Sequence, residues 1–222
     1  MEPGKRIVVV SPHLDDGVLS LGASIASWVR GGVQVELLTV FACAPDSEAP
    51  TEGWDARGGF QTEGEAAQAR RDEDRRACAA LGAAPYWLAF GSLDYDRHGD
   101  DAAIREAVVA RLANAESVLL PGHPLTHPDH AWLADAVRPE ALATRVGYYA
   151  EQPYTHRTRA APKSFVRVET PLRDRLAKWR AIRQYRSQLP LLAMRRSVTR
   201  GPHVLAFTAE AISWHEATLP PR

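Results

Sequence analysis

The sequence predicts an α/β fold in three layers, a mostly parallel sheet with helices on both faces. Three observations carry that expectation. Short apolar runs alternate along the chain with longer stretches of helical periodicity. The strand-like runs are near-continuously apolar, as in strands covered on both faces, instead of alternating. Joins such as Ser11-Pro12, Gly31-Gly32 and Leu81-Gly82 carry residues that break regular structure. The 222 residues, 45% of them hydrophobic, suffice for one sizeable core, so one domain over residues 1–222 is expected, less regular from about residue 151.

Arg6 to Val10 is a β-branched run closing on Ser11-Pro12, and Val18 to Arg30 follows with helical spacing. Val33 to Ala42 is a second continuous apolar run, which completes an opening βαβ unit. Cys43 to Gln61 turns to Pro, Gly, Asp, Glu and Ser; it is too long for a simple turn and is a candidate lid. Glu63 to Leu81, ended by Gly82, reads as a long amphipathic helix leading to a short strand at Tyr86 to Phe90. Ala102 to Ala113 is another helix, Ser117 to Leu120 a buried strand, and Pro128 to Ala136 a helix with proline at its first position. Strands at Arg145 to Ala150 and Phe165 to Val168 and a helix from Leu172 to about Gln188 precede a tail without a clear pattern. This alternation is that of a doubly wound sheet.

Composition narrows the partners. Lys plus Arg and Asp plus Glu number 27 each, so no global field favours nucleic acid or an anionic membrane, and a small molecule is the expected partner. No apolar run approaches the roughly 20 residues that span a bilayer, and the expected location is cytoplasmic. Cys43 and Cys78 have no CxxC spacing and no adjacent His cluster, so free thiols account for them. Lys178, Arg180, Arg183 and Arg186 make the late helix basic; a solvated face, an anion contact and a homo-oligomer surface all stay open.

Two clusters carry chemistry. Ser11-Pro12-His13-Leu14-Asp15-Asp16-Gly17 stands where the first strand gives way to the first helix, the edge at which open α/β sheets bind ligands. Asp15 or Asp16 would also serve as a plain helix cap, but a cap needs one oxygen, and two adjacent carboxylates in a crevice ask for a cation or a shared proton. Thr126-His127-Pro128-Asp129-His130 follows the strand at Ser117 to Leu120 and opens another helix at the same edge, with His123 nearby. A His and an Asp from one cluster and a His from the other supply three N/O ligands and leave a fourth position for water, the requirement of catalytic zinc. Asp15 and His127 then remain as acid and base.

With both clusters in place, the chain resembles the PIG-L/LmbE-like zinc N-deacetylases, whose signatures are a P-H-x-D-D element and a later H-P-D-H element. Pro12-His13-Leu14-Asp15-Asp16 and His127-Pro128-Asp129-His130 match them in order. The resemblance implies that His13, Asp16 and His130 bind Zn2+ and that Asp15 is the general base. It further implies that His127, paired with Asp129, stabilises the oxyanion or protonates the leaving amine. An R-x-x-E pair, Arg70 and Glu73, matches the family helix whose arginine lies near the substrate, and Asp94 loosely matches an aspartate near substrate hydroxyls. Leu14 and Gly17 stand where many members have proline and glutamate. The implied substrate is an N-acetylated small molecule: an amino sugar such as N-acetylglucosamine, or a biosynthetic intermediate. Trp54, Tyr95, Tyr148, Tyr149 and Tyr154 are candidates to line its pocket.

Two rivals remain. Another metal-dependent hydrolase, such as a phosphoesterase, would also use His/Asp clusters at sheet ends, although two-metal sites normally need more bridging carboxylates. A nucleotide or small-molecule binding module would suit the Rossmann-like pattern. But the first strand–helix loop has no G-x-G-x-x-G, and Asp15 and Asp16 there would repel a pyrophosphate.

Overall fold

The computed structural model describes residues 4–93, 101–156, 161–194 and 203–215. Its strands are β1 (Arg6–Ser11), β2 (Gln34–Thr39), β3 (Ala84–Trp87), β4 (Ser117–His123), β5 (Arg145–Ala150), β6 (Val166–Val168) and β7 (Glu210–Trp214). The helices are α1 (Asp16–Arg30), α2 (Gly53–Arg57), α3 (Glu63–Leu81), α4 (Asp101–Leu112), α5 (Pro128–Ala136), α6 (Leu172–Ile182), α7 (Leu189–Met194) and α8 (His203–Phe207).

The strands form one sheet in the order β3-β2-β1-β4-β5-β7-β6. β1 pairs in parallel with β2 on one side and β4 on the other, β2 with β3, and β4 with β5. β7 runs antiparallel to both β5 and β6. Strand order therefore reverses at β1, and a crevice opens between the carboxyl ends of β1 and β4, where doubly wound sheets place ligands.

Side-chain alternation divides the core between two faces. Ile7 and Val9 of β1, Leu37 and Leu119 pack against α1, α3, α6 and α8 through Val18, Leu21, Ile25, Cys78, Ala181 and Leu205. Val8 and Val10, Leu38, Val118 and Leu120 pack against α4 and α5 through Ile104, Val108, Leu112 and Leu133. Each such side chain, fully withdrawn from water, contributes about 1.5–3 kcal/mol. That is why β1 reads as an unbroken apolar run: both of its faces are covered.

Local signals set the boundaries. α3 starts at Thr62, whose side chain accepts the Glu65 N–H, and ends at Gly82 in the left-handed region at φ 76°. A shorter strand replaces the expected Tyr86 to Phe90: β3 is Ala84–Trp87, and Pro85 is tolerated because β3 is the sheet edge. The late helix divides. α6 stops at Ile182, since Tyr185 donates its hydroxyl to Asp74 and Ser187 donates its N–H and hydroxyl to Glu73, drawing residues 183–188 onto α3. β7 emerges from what reads in sequence as a patternless tail.

Lys178 departs from the basic face expected of α6. It is fully buried, donates to Glu210 Oε1 at 2.7 Å, and Glu210 also accepts from Ala23 N, Ser24 N and Ser24 Oγ of α1. Arg180, Arg183 and Arg186 stay exposed. Among the described residues, no helix is long and apolar enough to cross a membrane.

Candidate active site

The turn leaving β1 is held by Ser11, whose hydroxyl donates to the His13 carbonyl at 2.6 Å and accepts the Gly17 N–H at 2.9 Å. A Cβ at Gly17 would lie 2.6 Å from Leu37 Cδ1, so a larger residue here would require the Leu37 side chain to move. Asp15 occupies the helix cap at φ 138°, a conformation that L side chains rarely adopt and that the surrounding packing must enforce. Its side chain makes no cap hydrogen bond, so the carboxylate is not spent on the helix.

Beyond β4, Leu125 lies in the left-handed region at φ 52°, and His127 caps α5 by accepting the Asp129 N–H on Nδ1 at 3.2 Å. Pro128 takes the first helical position, where its missing N–H costs nothing. One turn of helix then brings His127, Asp129 and His130 toward the β1 turn. The rings of His13, His127 and His130 lie 4.9–5.2 Å apart, centroid to centroid.

Three donor atoms converge more tightly. His13 Nδ1 to Asp16 Oδ2 is 3.2 Å, His130 Nε2 to Asp16 Oδ2 is 3.1 Å, and His130 Nε2 to His13 Nδ1 is 3.2 Å. Bonds of about 2.0–2.2 Å to a tetrahedral ion separate neighbouring ligand atoms by about 3.3–3.5 Å. The triangle of two imidazole nitrogens and one carboxylate oxygen thus fits a small divalent metal with little adjustment. A looser set of His13, His127 and His130 keeps its ligand atoms within 4.8 Å of one another.

A carboxylate stands behind each of the two histidines in the tight triangle. His13 Nε2 lies 3.0 Å from Asp129 Oδ2, and His130 Nδ1 lies 2.5 Å from Glu151 Oε1. Acceptors there take the protons of His13 Nε2 and His130 Nδ1, so that a metal in the triangle would meet bare nitrogens at His13 Nδ1 and His130 Nε2. Asp129 therefore serves His13, whereas the sequence suggests His127 as its partner. His127 Nδ1 is 3.9 Å from Asp129 Oδ2, because that nitrogen is already taken by the Asp129 amide. Glu151, 1% exposed at the end of β5, is the member that sequence reading misses.

The electrostatics favour positive charge at the triangle. Burial opposes charge on His130, yet Asp16 and then Glu151 outweigh it and hold the ring at about 10. Burial likewise opposes charge on His13, and Asp129 and Asp16 overcome it. Burial acts to raise Asp16, but His130 and His13 hold it well below the usual carboxylate range. Asp15 is pushed the other way, to about 8, by burial and by Asp16. His127 is pushed down to about 4 by burial and by the charges of His13 and His130. With Nδ1 accepting the Asp129 N–H, a neutral His127 ring carries its proton on Nε2 and can donate it.

Arg70 sits beside this group in a buried ion pair, Nη1 to Asp55 Oδ1 at 3.0 Å, and Asp15 also favours its charge. Among the described residues, Arg70 Nε is buried without a hydrogen-bond partner. Asp55 belongs to α2, so the Cys43 to Gln61 segment is pinned onto Arg70, and also onto Gln188, which accepts the Trp54 indole N–H. Glu73 of the R-x-x-E pair faces Ser187 instead of the site. Of the aromatic set, Tyr154 packs edge-on to His130 at 5.4 Å, and Phe41, absent from that set, lies 6.0 Å from His13. Tyr149 is a core residue whose hydroxyl donates to Val10 O. Asp94 and Tyr95 lie outside the described residues.

No curated protein matches the chain. Among solved structures, the A40926 pseudoaglycone deacetylase Dbv21 is 27% identical, with a TM-score of 0.71, covering 95% of this chain and 96% of its own. A triple mutant of a deacetylase from the teicoplanin biosynthetic pathway is 24% identical, with a TM-score of 0.75 and coverage of 96% and 100%. GalB, the 4-carboxy-2-hydroxymuconate hydratase from Pseudomonas putida, is 22% identical, with a TM-score of 0.62 and coverage of 99% of both chains. The last two share the fold. A family model described as PIG-L, GlcNAc-PI de-N-acetylase, matches residues 8–140. That span is more than half of the 222 residues and contains both sequence clusters, and the chain belongs to the PIG-L family.

Proposed function

We propose that this chain is a metal-dependent N-deacetylase that hydrolyses the acetamide of an N-acetylated small molecule, releasing acetate and a free amine. Family membership and the Dbv21 likeness support the reaction class. The observation that carries the machinery is the donor triangle of His13 Nδ1, Asp16 Oδ2 and His130 Nε2, with edges of 3.1–3.2 Å. Two imidazoles and a carboxylate suit zinc. Bound there, the metal would polarise the acetyl carbonyl and bring the acidity of water toward a pKa of about 7.

The chain's own residues divide the remaining work. Asp15, adjacent to Asp16 and held at about 8 by burial and by Asp16, is the base that takes a proton from the attacking water. Asp129 keeps the His13 ring in one tautomer. His127 is one-third exposed, and we assign its Nε2–H to the substrate side. There it donates to the oxygen on which negative charge develops, and it lies in reach of the departing nitrogen. Arg70 supplies a fixed positive charge near Asp15. We assign the substrate to acetylated amino sugars or acetylated intermediates of secondary metabolism, on the strength of the family and its deacetylase relative.

Since a hydratase shares the fold, addition of water to a carbon–carbon double bond is the second reading. The test is acetate release from a panel of N-acetyl amino sugars and acylated glycosides, with and without chelator. Chelator-sensitive acetate release is the expected result; no release from any member, together with hydration of an unsaturated acid, would replace the first reading with the second.

A further inference from the structure

We propose that Glu151 is a positioning residue for the metal centre: its carboxylate selects the ring tautomer of His130 and fastens the turn that carries His127. The inference rests on the metal-site reading above.

The register of β4 against β5 sets the geometry. Pro121 pairs with Tyr149 and His123 with Ala150, with an irregularity between them that moves the end of β4 along β5. Glu151 N–H donates to His123 O at 2.6 Å, which seats the residue beside the turn after β4. Its two carboxylate oxygens then do different things. Oε1 lies 2.5 Å from His130 Nδ1, and Oε2 accepts the Leu125 N–H at 3.0 Å.

A carboxylate oxygen at hydrogen-bond distance accepts from Nδ1, so with a metal in the triangle in place of a second ring proton, Nδ1 is the protonated nitrogen of a neutral His130 ring. The bare nitrogen is then Nε2, the atom 3.1 Å from Asp16 Oδ2 and 3.2 Å from His13 Nδ1. The opposite tautomer would point a proton into the donor triangle and block ligation. The second oxygen acts on the backbone. Leu125 is a non-glycine residue at φ 52°, a conformation that needs a partner to hold it, and two residues later His127 caps α5. One buried carboxylate thus fixes a ligand's protonation pattern and the approach of a catalytic residue.

Glu151→Gln tests this. An amide offers one acceptor and one donor, so it either turns its NH2 to His130 Nδ1 and drives the proton onto Nε2, or loses the Leu125 N–H. Zinc affinity, read by competition with a chromophoric chelator, is expected to fall about 10–100-fold. The thermal midpoint of the zinc-stripped variant is expected to fall as well, because Glu151 is buried against His130, so the deciding readout is the zinc affinity of the folded variant measured below that midpoint. A variant with wild-type zinc affinity would overturn the proposal, as would one whose only change is a lower stripped midpoint. Nitrogen-15 spectra of zinc-loaded wild type give a second readout that depends on no variant's folding. The His130 proton is expected on Nδ1, and a proton on Nε2 would overturn the assignment. Failure of the metal reading itself looks different: wild type would take up no zinc, and this inference would fall with it.

Discussion

Asp55→Ala should loosen the Cys43 to Gln61 segment and destabilise the whole fold. Asp55 is 4% exposed, its partner Arg70 is 15% exposed, and their contact is 3.0 Å. Truncating one member of such a pair strands the other charge in the interior, which costs about 3–5 kcal/mol. Asp15 still favours the Arg70 cation after the change, which argues for the lower end, about 3 kcal/mol. At about 2.1 cal/mol/K per residue, unfolding entropy for a chain of this length is about 0.5 kcal/mol/K, so the midpoint should drop by about 6 °C. Calorimetry measures the drop, and hydrogen exchange should show faster exchange through α2. A double-mutant cycle with Arg70→Met isolates the pair, since the double variant removes both of its charges. A shift under about 2 °C, or strictly additive single effects, would refute the claim that this pair anchors the segment.

Other outcomes follow from the same structure. Asp15→Asn should retain metal yet lose about 10²–10⁴ in kcat, because the cap residue makes no helix-capping bond and is assigned to proton transfer; acetate release at near wild-type rate would remove that role. His127→Ala should lose about 10²–10³ in kcat with KM little changed, checked by steady-state kinetics on the substrate found in the acetate screen. Glu210→Ala leaves the fully buried Lys178 ammonium without its partner and should cost about 3–5 kcal/mol in urea unfolding, whereas adding Lys178→Met should recover the part due to the stranded charge, the Ser24 hydroxyl still lacking its acceptor.

The sequence made the opening βαβ unit and the two clusters readable because their signals are local. The apolar run of β1, Gly82 after α3 and Pro128 at the start of α5 each mark a boundary within a few residues of chain. His13, Asp15, Asp16, His127 and His130 stood out because their side chains are chemically special and sit at two strand ends. What stayed hidden depends on contacts remote in the chain. Glu151 is one carboxylate among 27 acidic residues until the β4–β5 register sets it against His130. Asp129 sits two residues from His127, yet it reaches His13, 116 positions away in sequence. The end of α6 is imposed by Asp74 and Glu73 gripping Tyr185 and Ser187, where no glycine or proline announces a stop. β7 is a five-residue antiparallel insertion whose partners come from elsewhere in the chain.

The central claim is that the tight triangle of His13, Asp16 and His130 holds the metal, and that His127 stays outside it. Metal content of purified Asp16→Ala and His127→Ala, measured side by side with wild type after equilibration with one equivalent of zinc, tests it directly. Asp16→Ala is expected to lose the ion and His127→Ala to keep close to one per chain. The reverse pattern, with zinc retained without Asp16 and lost without His127, would contradict it.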